Sequence, residues 1–230
     1  MAKGNKKDRS SNTRIRTIDS LKRPDPRRQP RKSMLIVCEG QETEPRYFTS
    51  LKAMYKLKLV EIEIIGKGET PITVVNRALT MQEEREKDAE KDGFFTGSKF
   101  DEVWCVFDRE GNHQSPSFHQ AVNKALANKL ELAISNPSFE FWFIIHFEQT
   151  TKPFHNASDV IPHLKKHMSN YQKNLDVCHK IFHLTNDAIK NAEWILKNHK
   201  ENNSESYPNP STEVHLLVKK LKAMTKYGVS

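Results

Sequence analysis

Cysteine is nearly absent from this chain, with three in 230 residues. An odd count without framework spacing excludes a disulfide scaffold and suits reduced thiols in a cytoplasm. Long hydrophobic runs are missing too. The longest, Phe141 to Ile145, is far too short to span a bilayer. No apolar stretch follows the basic N-terminal residues, so no secretory signal and no membrane partner are expected. Glycine is scarce, at 8 residues, and neither the dinucleotide fingerprint nor the Walker pattern is present. Any ATP dependence would therefore come from a partner. The lone Gly66-Lys67-Gly68 is most simply a turn, with Lys67 a possible phosphate contact before a helix N-terminus. No Cys-x-x-Cys accompanies the histidine pairs His163/His167 and His179/His183, although Cys178 lies beside the second. Such pairs can hold zinc, but ten histidines scattered along the chain weigh against it here.

What is abundant is positive charge, and its location matters. Residues 1–32 hold 12 Lys and Arg against 3 Asp and Glu, whereas the remaining residues hold 25 against 26. The net excess of +8 thus belongs to the tail, whose Lys, Arg, Ser and Pro composition predicts disorder. The tail reads either as a solubilising segment or as a non-specific arm for nucleic-acid phosphates.

From residue 33 to about 147 strands and helices alternate. Met34 to Cys38, Leu59 to Ile65, Glu102 to Phe107 and Glu131 to Ile134 read as strands. Between them, Thr43 is expected to cap a helix reaching about Leu57. Thr70-Pro71 starts a helix to about Glu90, and Ser115-Pro116 starts one to about Lys129. Asn136-Pro137 is expected to open a helix carrying Phe139, Glu140, Trp142 and Phe147, with Phe139 and Trp142 in the core. The order predicts an α/β fold, a parallel sheet of about four strands between helices. Residues 148–230 are expected to form an α-helical extension without strands: Val160 to Met168, Ile181 to Lys200, and a last helix opened by Asn209-Pro210. The expected division is a tail at 1–32, an α/β core at 33–147 and the extension at 148–230.

Two of these strands end alike. Met34 to Cys38 runs into Glu39-Gly40, and Glu102 to Phe107 runs into Asp108-Arg109-Glu110-Gly111. Open α/β sheets bind ligands at the carboxyl ends of their strands. Acids gathered there suit a hard divalent cation, Mg²⁺ or Mn²⁺. Asp108 and Glu110 point the same way from an extended segment and can share one metal. Glu39 then completes the shell or serves as acid or base. Glu44 and Glu140, early in helices that begin at this edge, are candidates for a second position. The plainer alternative is that these acids cap helices or pair with Arg46 and Arg109.

The combination of Cys38-Glu39-Gly40, Thr43-Glu44 and Phe107-Asp108-Arg109-Glu110 resembles the Toprim fold of topoisomerases, bacterial primases and OLD-family nucleases. More specifically, Cys-Glu-Gly-x-x-Thr-Glu-x-x-Tyr-Phe (38–48), Ser-Asn-Pro-x-Phe-Glu-x-Trp (135–142), Tyr-x-Lys (171–173) and Asn-Pro-Ser-Thr-x-Val-His-x-Leu-Val (209–218) resemble the RloB-like family. The resemblance covers about residues 32–222. It implies a Toprim-type core in a bacterial or archaeal anti-phage or abortive-infection component, often beside an ATPase partner. The implied activity is metal-dependent nuclease action on DNA or RNA, with Glu39, Asp108 and Glu110 catalytic. Glu110 departs from the usual Asp-x-Asp, which bears on the second metal position. Motif membership adds Asn136, Asn209, Ser211 and Thr212, with Tyr171, Lys173 and His215, as residues that brace the site. Lys67, Arg109, Asn136, Lys173 and His215 are candidate substrate contacts. The competing reading is a non-catalytic nucleic-acid-binding sensor or adaptor in an ATPase-containing defence complex.

Overall fold

The structure is a computed structural model that describes residues 33–58, 60–64, 70–91, 99–109, 116–202, 204 and 206–225. The basic tail, Lys67 and Glu110 lie outside the described residues.

Five strands form one sheet in the order β2-β1-β3-β4-β5. They are β1 (Met34–Cys38), β2 (Val60–Ile64), β3 (Glu102–Asp108), β4 (Glu131–Asn136) and β5 (Ser211–Thr212). The first four are mutually parallel, with Cys38 in register with Val106 and Asp108 with Ser135. The two-residue pleat explains why β1 and β3 read as unbroken apolar runs. Met34, Ile36, Cys38, Trp104 and Val106 face one core, whereas Leu35, Val37, Val103, Cys105 and Phe107 face the other. The second core is closed by α2 (Pro71–Lys91) and α3 (Pro116–Ala127), through Val74, Val75, Ala78, Phe118 and Ala121. The first is closed by α1 (Thr43–Met54), through Tyr47, Phe48 and Leu51. It is completed by α4 (Glu140–Ile144), α5 (Ala157–Leu164), α6 (Cys178–Ile181), α7 (Thr185–Glu201) and α8 (Val214–Thr225). The expected α/β sheet between helices is therefore the observed one. Phe139 and Trp142 are core residues, as their apolar setting predicted.

Several boundaries differ from expectation, each for a local reason. Thr43 is the first helical residue rather than the cap, and α1 ends at Met54. There Lys56 turns left-handed at φ 55°, and the Lys56 and Leu57 N–H groups donate to the Ala53 and Lys52 carbonyls. Neither Asn-Pro pair opens a helix. Asn136 is the last residue of β4 and Asn209-Pro210 leads into β5, both pairs being joined by cis peptides. The strand β5, antiparallel to β4, corrects the expectation that nothing after residue 148 joins the sheet. It is two residues long and too short for alternation to show. The stretch expected as one helix from Ile181 is broken into α6, a 3₁₀ turn at Phe182–Leu184, and α7.

Among the described residues no helix is long and apolar enough to cross a membrane. All three cysteines are free and buried.

Candidate metal and phosphoester site

The sheet order makes the place between β1 and β3 special. The chain leaves β1 through α1 on one face to reach β2, then returns through α2 on the other face to reach β3. This reversal opens a crevice at the carboxyl ends of β1 and β3, the position where open α/β sheets take ligands. Glu39 and Asp108 stand at those two ends, and the Asp108 N–H donates to Glu39 Oε2 at 3.1 Å. The Glu39 N–H in turn continues the ladder to the Val106 carbonyl at 3.0 Å.

Two further carboxylates close on this pair. Glu44, in the first turn of α1, is 6 % exposed, and Glu140, opening α4, is 3 % exposed. Gly40 explains how Glu44 fits. Its backbone draws the Glu44 pKa down slightly, and a Cβ at Gly40 would stand 2.6 Å from the Glu44 carboxyl carbon. A side chain at this turn would occupy the space the carboxylate fills. The Phe139 backbone, just ahead of α4, draws the Asp108 pKa back down. Glu140 accepts from the Ser138 hydroxyl at 2.8 Å and from the Tyr171 hydroxyl at 3.1 Å, while Lys173 Nζ lies 4.0 Å away.

This crowding moves protons. Burial, reinforced by repulsion from Glu44, Glu140 and Glu39, raises Asp108 well above the ordinary carboxylate range. Burial and repulsion from Glu140 push Glu44 up to about 7, against the pull of Lys173. Ser138 and Tyr171 orient Glu140, and the pull of Lys173 on Glu44 is smaller than the burial that raises it. The donor set is all oxygen, which is what Mg²⁺ or Mn²⁺ takes, and a bound cation would offset the repulsion that raises Asp108 and Glu44. Among the described residues, however, no three of these four carboxylates bring ligand oxygens within 4.8 Å of one another, so an ion here would keep several of its own waters.

The remaining predicted residues fall in three places. Lys173 reaches Glu140, as above. Arg109 and Asn136 lie at the neighbouring corner. The Arg109 guanidinium, 5 % exposed, donates to the Ser206 carbonyl and, at 2.8 Å, to the Tyr207 carbonyl. The Asn136 amide donates to the same Tyr207 carbonyl at 2.7 Å. His215 is buried in α8 against the Thr212 carbonyl at 3.1 Å, and burial holds it neutral by lowering its pKa. Ser138 was missed by sequence reasoning. Its position two residues before Glu140, inside the Ser-Asn-Pro-x-Phe-Glu stretch, was the available signal.

Compared with known proteins, the profile described as RloB-like protein matches residues 34–221. No curated protein and no solved structure matches the chain.

Proposed function

The chain belongs to the RloB-like family, and from that premise we propose a Toprim-type nuclease that hydrolyses DNA or RNA phosphodiesters with Mg²⁺ or Mn²⁺. The observation that carries this reading is the convergence of Glu39, Glu44, Asp108 and Glu140 on the β1/β3 crevice, with Asp108 and Glu44 raised by burial and mutual repulsion. Asp108 and Glu39 would hold the ion from the strand ends, with Glu110 beside Asp108 in sequence, and Glu44 and Glu140 would reach it through the waters such an ion keeps. When bound, the ion supplies Lewis-acid polarisation of the phosphoryl group and eases deprotonation of the attacking water.

The chain's own residues do the positioning. The Asp108 N–H fixes the Glu39 carboxylate before substrate arrives, so little reorganisation accompanies the reaction. Ser138 and Tyr171 hold Glu140 in place. Lys173, largely exposed beyond Glu140, is placed to meet a phosphate at the rim. The tail, with its net charge of +9, would add non-specific attraction for nucleic acid that weakens steeply with salt. The defence role and the ATPase partner belong to the same reading, since the chain carries no NTP-binding motif of its own.

A cleavage assay on mixed DNA and RNA, with Mg²⁺, Mn²⁺ or EDTA and with or without the neighbouring gene's product, tests it. The expected result is cleavage that EDTA stops and that Glu39→Gln or Asp108→Asn removes. Nucleic-acid binding with no cleavage under any of these conditions would replace the nuclease with the sensor or adaptor reading.

A further inference from the structure

A second group of potential ligands lies away from the acidic crevice. Glu148 follows α4, His163 lies in the last turn of α5, and His167 is one turn beyond. His163 Nε2 is 2.7 Å from Glu148 Oε1, and His167 Nε2 is 3.3 Å from Glu148 Oε2. The three donor atoms all lie within 4.8 Å of one another. We propose that these side chains form a second metal site, selective for a late first-row divalent cation and naturally occupied by Zn²⁺.

The donor chemistry separates this site from the acidic one. Two neutral imidazoles and one carboxylate are the protein ligands of open zinc centres, which leave a fourth position to water or another ligand. Imidazole favours zinc, copper, iron and nickel, whereas Mg²⁺ prefers all-oxygen sets. Both histidines present the same nitrogen, Nε2, to the one carboxylate of Glu148. The spacing i, i+4 puts them on one side of the α5 end, so the convergence comes from backbone geometry rather than from long flexible stems.

The rings are held in place. Phe147 stacks on His167 at 5.1 Å with an interplanar angle of 3°, and Phe154 meets His163 edge-on at 5.4 Å. The segment carrying Glu148 is tied to α7, where Asn191 donates to the Ile145 carbonyl and Gln149 donates to Asn191. Side-chain exposures of 21 % for His163, 25 % for His167 and 32 % for Glu148 leave a route for an ion to enter. A preorganised, accessible ligand set is what metal affinity requires.

The position also gives the ion something to do. Coordination would cross-link residue 148 to residues 163 and 167, closing the loop between α4 and the end of α5. Tyr171 and Lys173, which contact Glu140, follow His167 by four and six residues. A metal here would therefore steady the segment that braces the acidic crevice without taking part in it.

The test uses the full chain, stripped of metal and held in excess Mg²⁺ so that the acidic crevice is occupied. Co²⁺ is then titrated in and read by its visible ligand-field absorption. The expected result is one equivalent of Co²⁺ giving the bands of a nitrogen- and oxygen-ligated four- or five-coordinate ion, displaced by one equivalent of Zn²⁺. The bands should be lost in His163→Ala and in Glu148→Gln and retained in Asp108→Asn. Should His163→Ala fail to fold by circular dichroism, His163→Gln keeps a donor to Glu148 while removing the imidazole, and the same loss is expected. Absence of bands in the unaltered chain overturns the proposal, leaving Glu148 as an ordinary hydrogen-bond partner of two histidines. Persistence of the bands in a folded His163 variant, or their loss in Asp108→Asn, overturns it equally. None of these outcomes bears on cleavage at the acidic crevice, so the two readings fail separately.

Discussion

Two corners of the same sheet edge, a few residues apart, treat buried charge in opposite ways. At the β1/β3 crevice Glu39, Glu44, Asp108 and Glu140 crowd one another, and burial with mutual repulsion raises Asp108 and Glu44. At the adjoining β3/β4 corner, buried Arg109 points its charge at the Ser206 and Tyr207 carbonyls, and Asn136 reinforces the second contact. The first arrangement stores electrostatic repulsion that a ligand can relieve. The second directs a guanidinium at backbone carbonyls and fastens the segment before β5. Perturbed carboxylates gathered at the strand ends are what place the proposed site at the first corner.

The sharpest way to break this contrast is to neutralise Asp108. Asp108→Asn should lower metal-dependent cleavage by about 10²–10³-fold, the size of effect seen when one preorganised charge-stabilising group is removed. Its thermal midpoint should stay level or rise, because a repelling buried charge is gone. Arg109→Met should do the reverse. Losing a charged donor to two carbonyls should cost about 2–4 kcal/mol of stability, or roughly 5–10 °C in midpoint, measured by thermal unfolding.

Glu44 sharpens the comparison through pH. Its pKa is raised from 4.5 to about 7 in the fold, so its stability contribution is present below about pH 4.5 and lost as pH rises through 7. His146, lowered by burial to about 4, acts in the opposite sense over much of that window, so the difference between two proteins is the informative quantity. Glu44→Gln should gain on the unaltered chain by on the order of 2 kcal/mol between pH 4.5 and pH 8, in unfolding curves without metal. Saturating Mn²⁺ should shrink that gain. The smallest expected effect is that of Gly40→Ala. The obstructed group is the movable end of the Glu44 side chain, so stability should change by less than about 1 kcal/mol, while Mn²⁺ affinity should fall several-fold in calorimetry.

Much of this was readable in advance, for identifiable reasons. Runs buried on both faces made β1 and β3 visible, and the acid-then-glycine endings of Glu39-Gly40 and Asp108 to Gly111 marked the sheet edge. The role of Gly40 was not readable, because the close approach of Glu44 depends on how α1 leaves the strand. The two Asn-Pro pairs imitate helix starts, since proline suits a first helical turn. Each instead belongs to a connection at the sheet, and β5 is too short to announce itself by pattern. His163 and His167 were legible as a pair, but Glu148 was not legible as their companion. It lies fifteen residues before His163, across a turn whose path no periodicity reports.

The account depends on the acidic crevice gripping a cation through Asp108. Titration calorimetry of Mn²⁺ into the metal-free chain, carrying His163→Gln so that the histidine cluster is silent, tests this most directly. A binding event that disappears in the added Asp108→Asn variant is the predicted result; superimposable isotherms from the two proteins would contradict it.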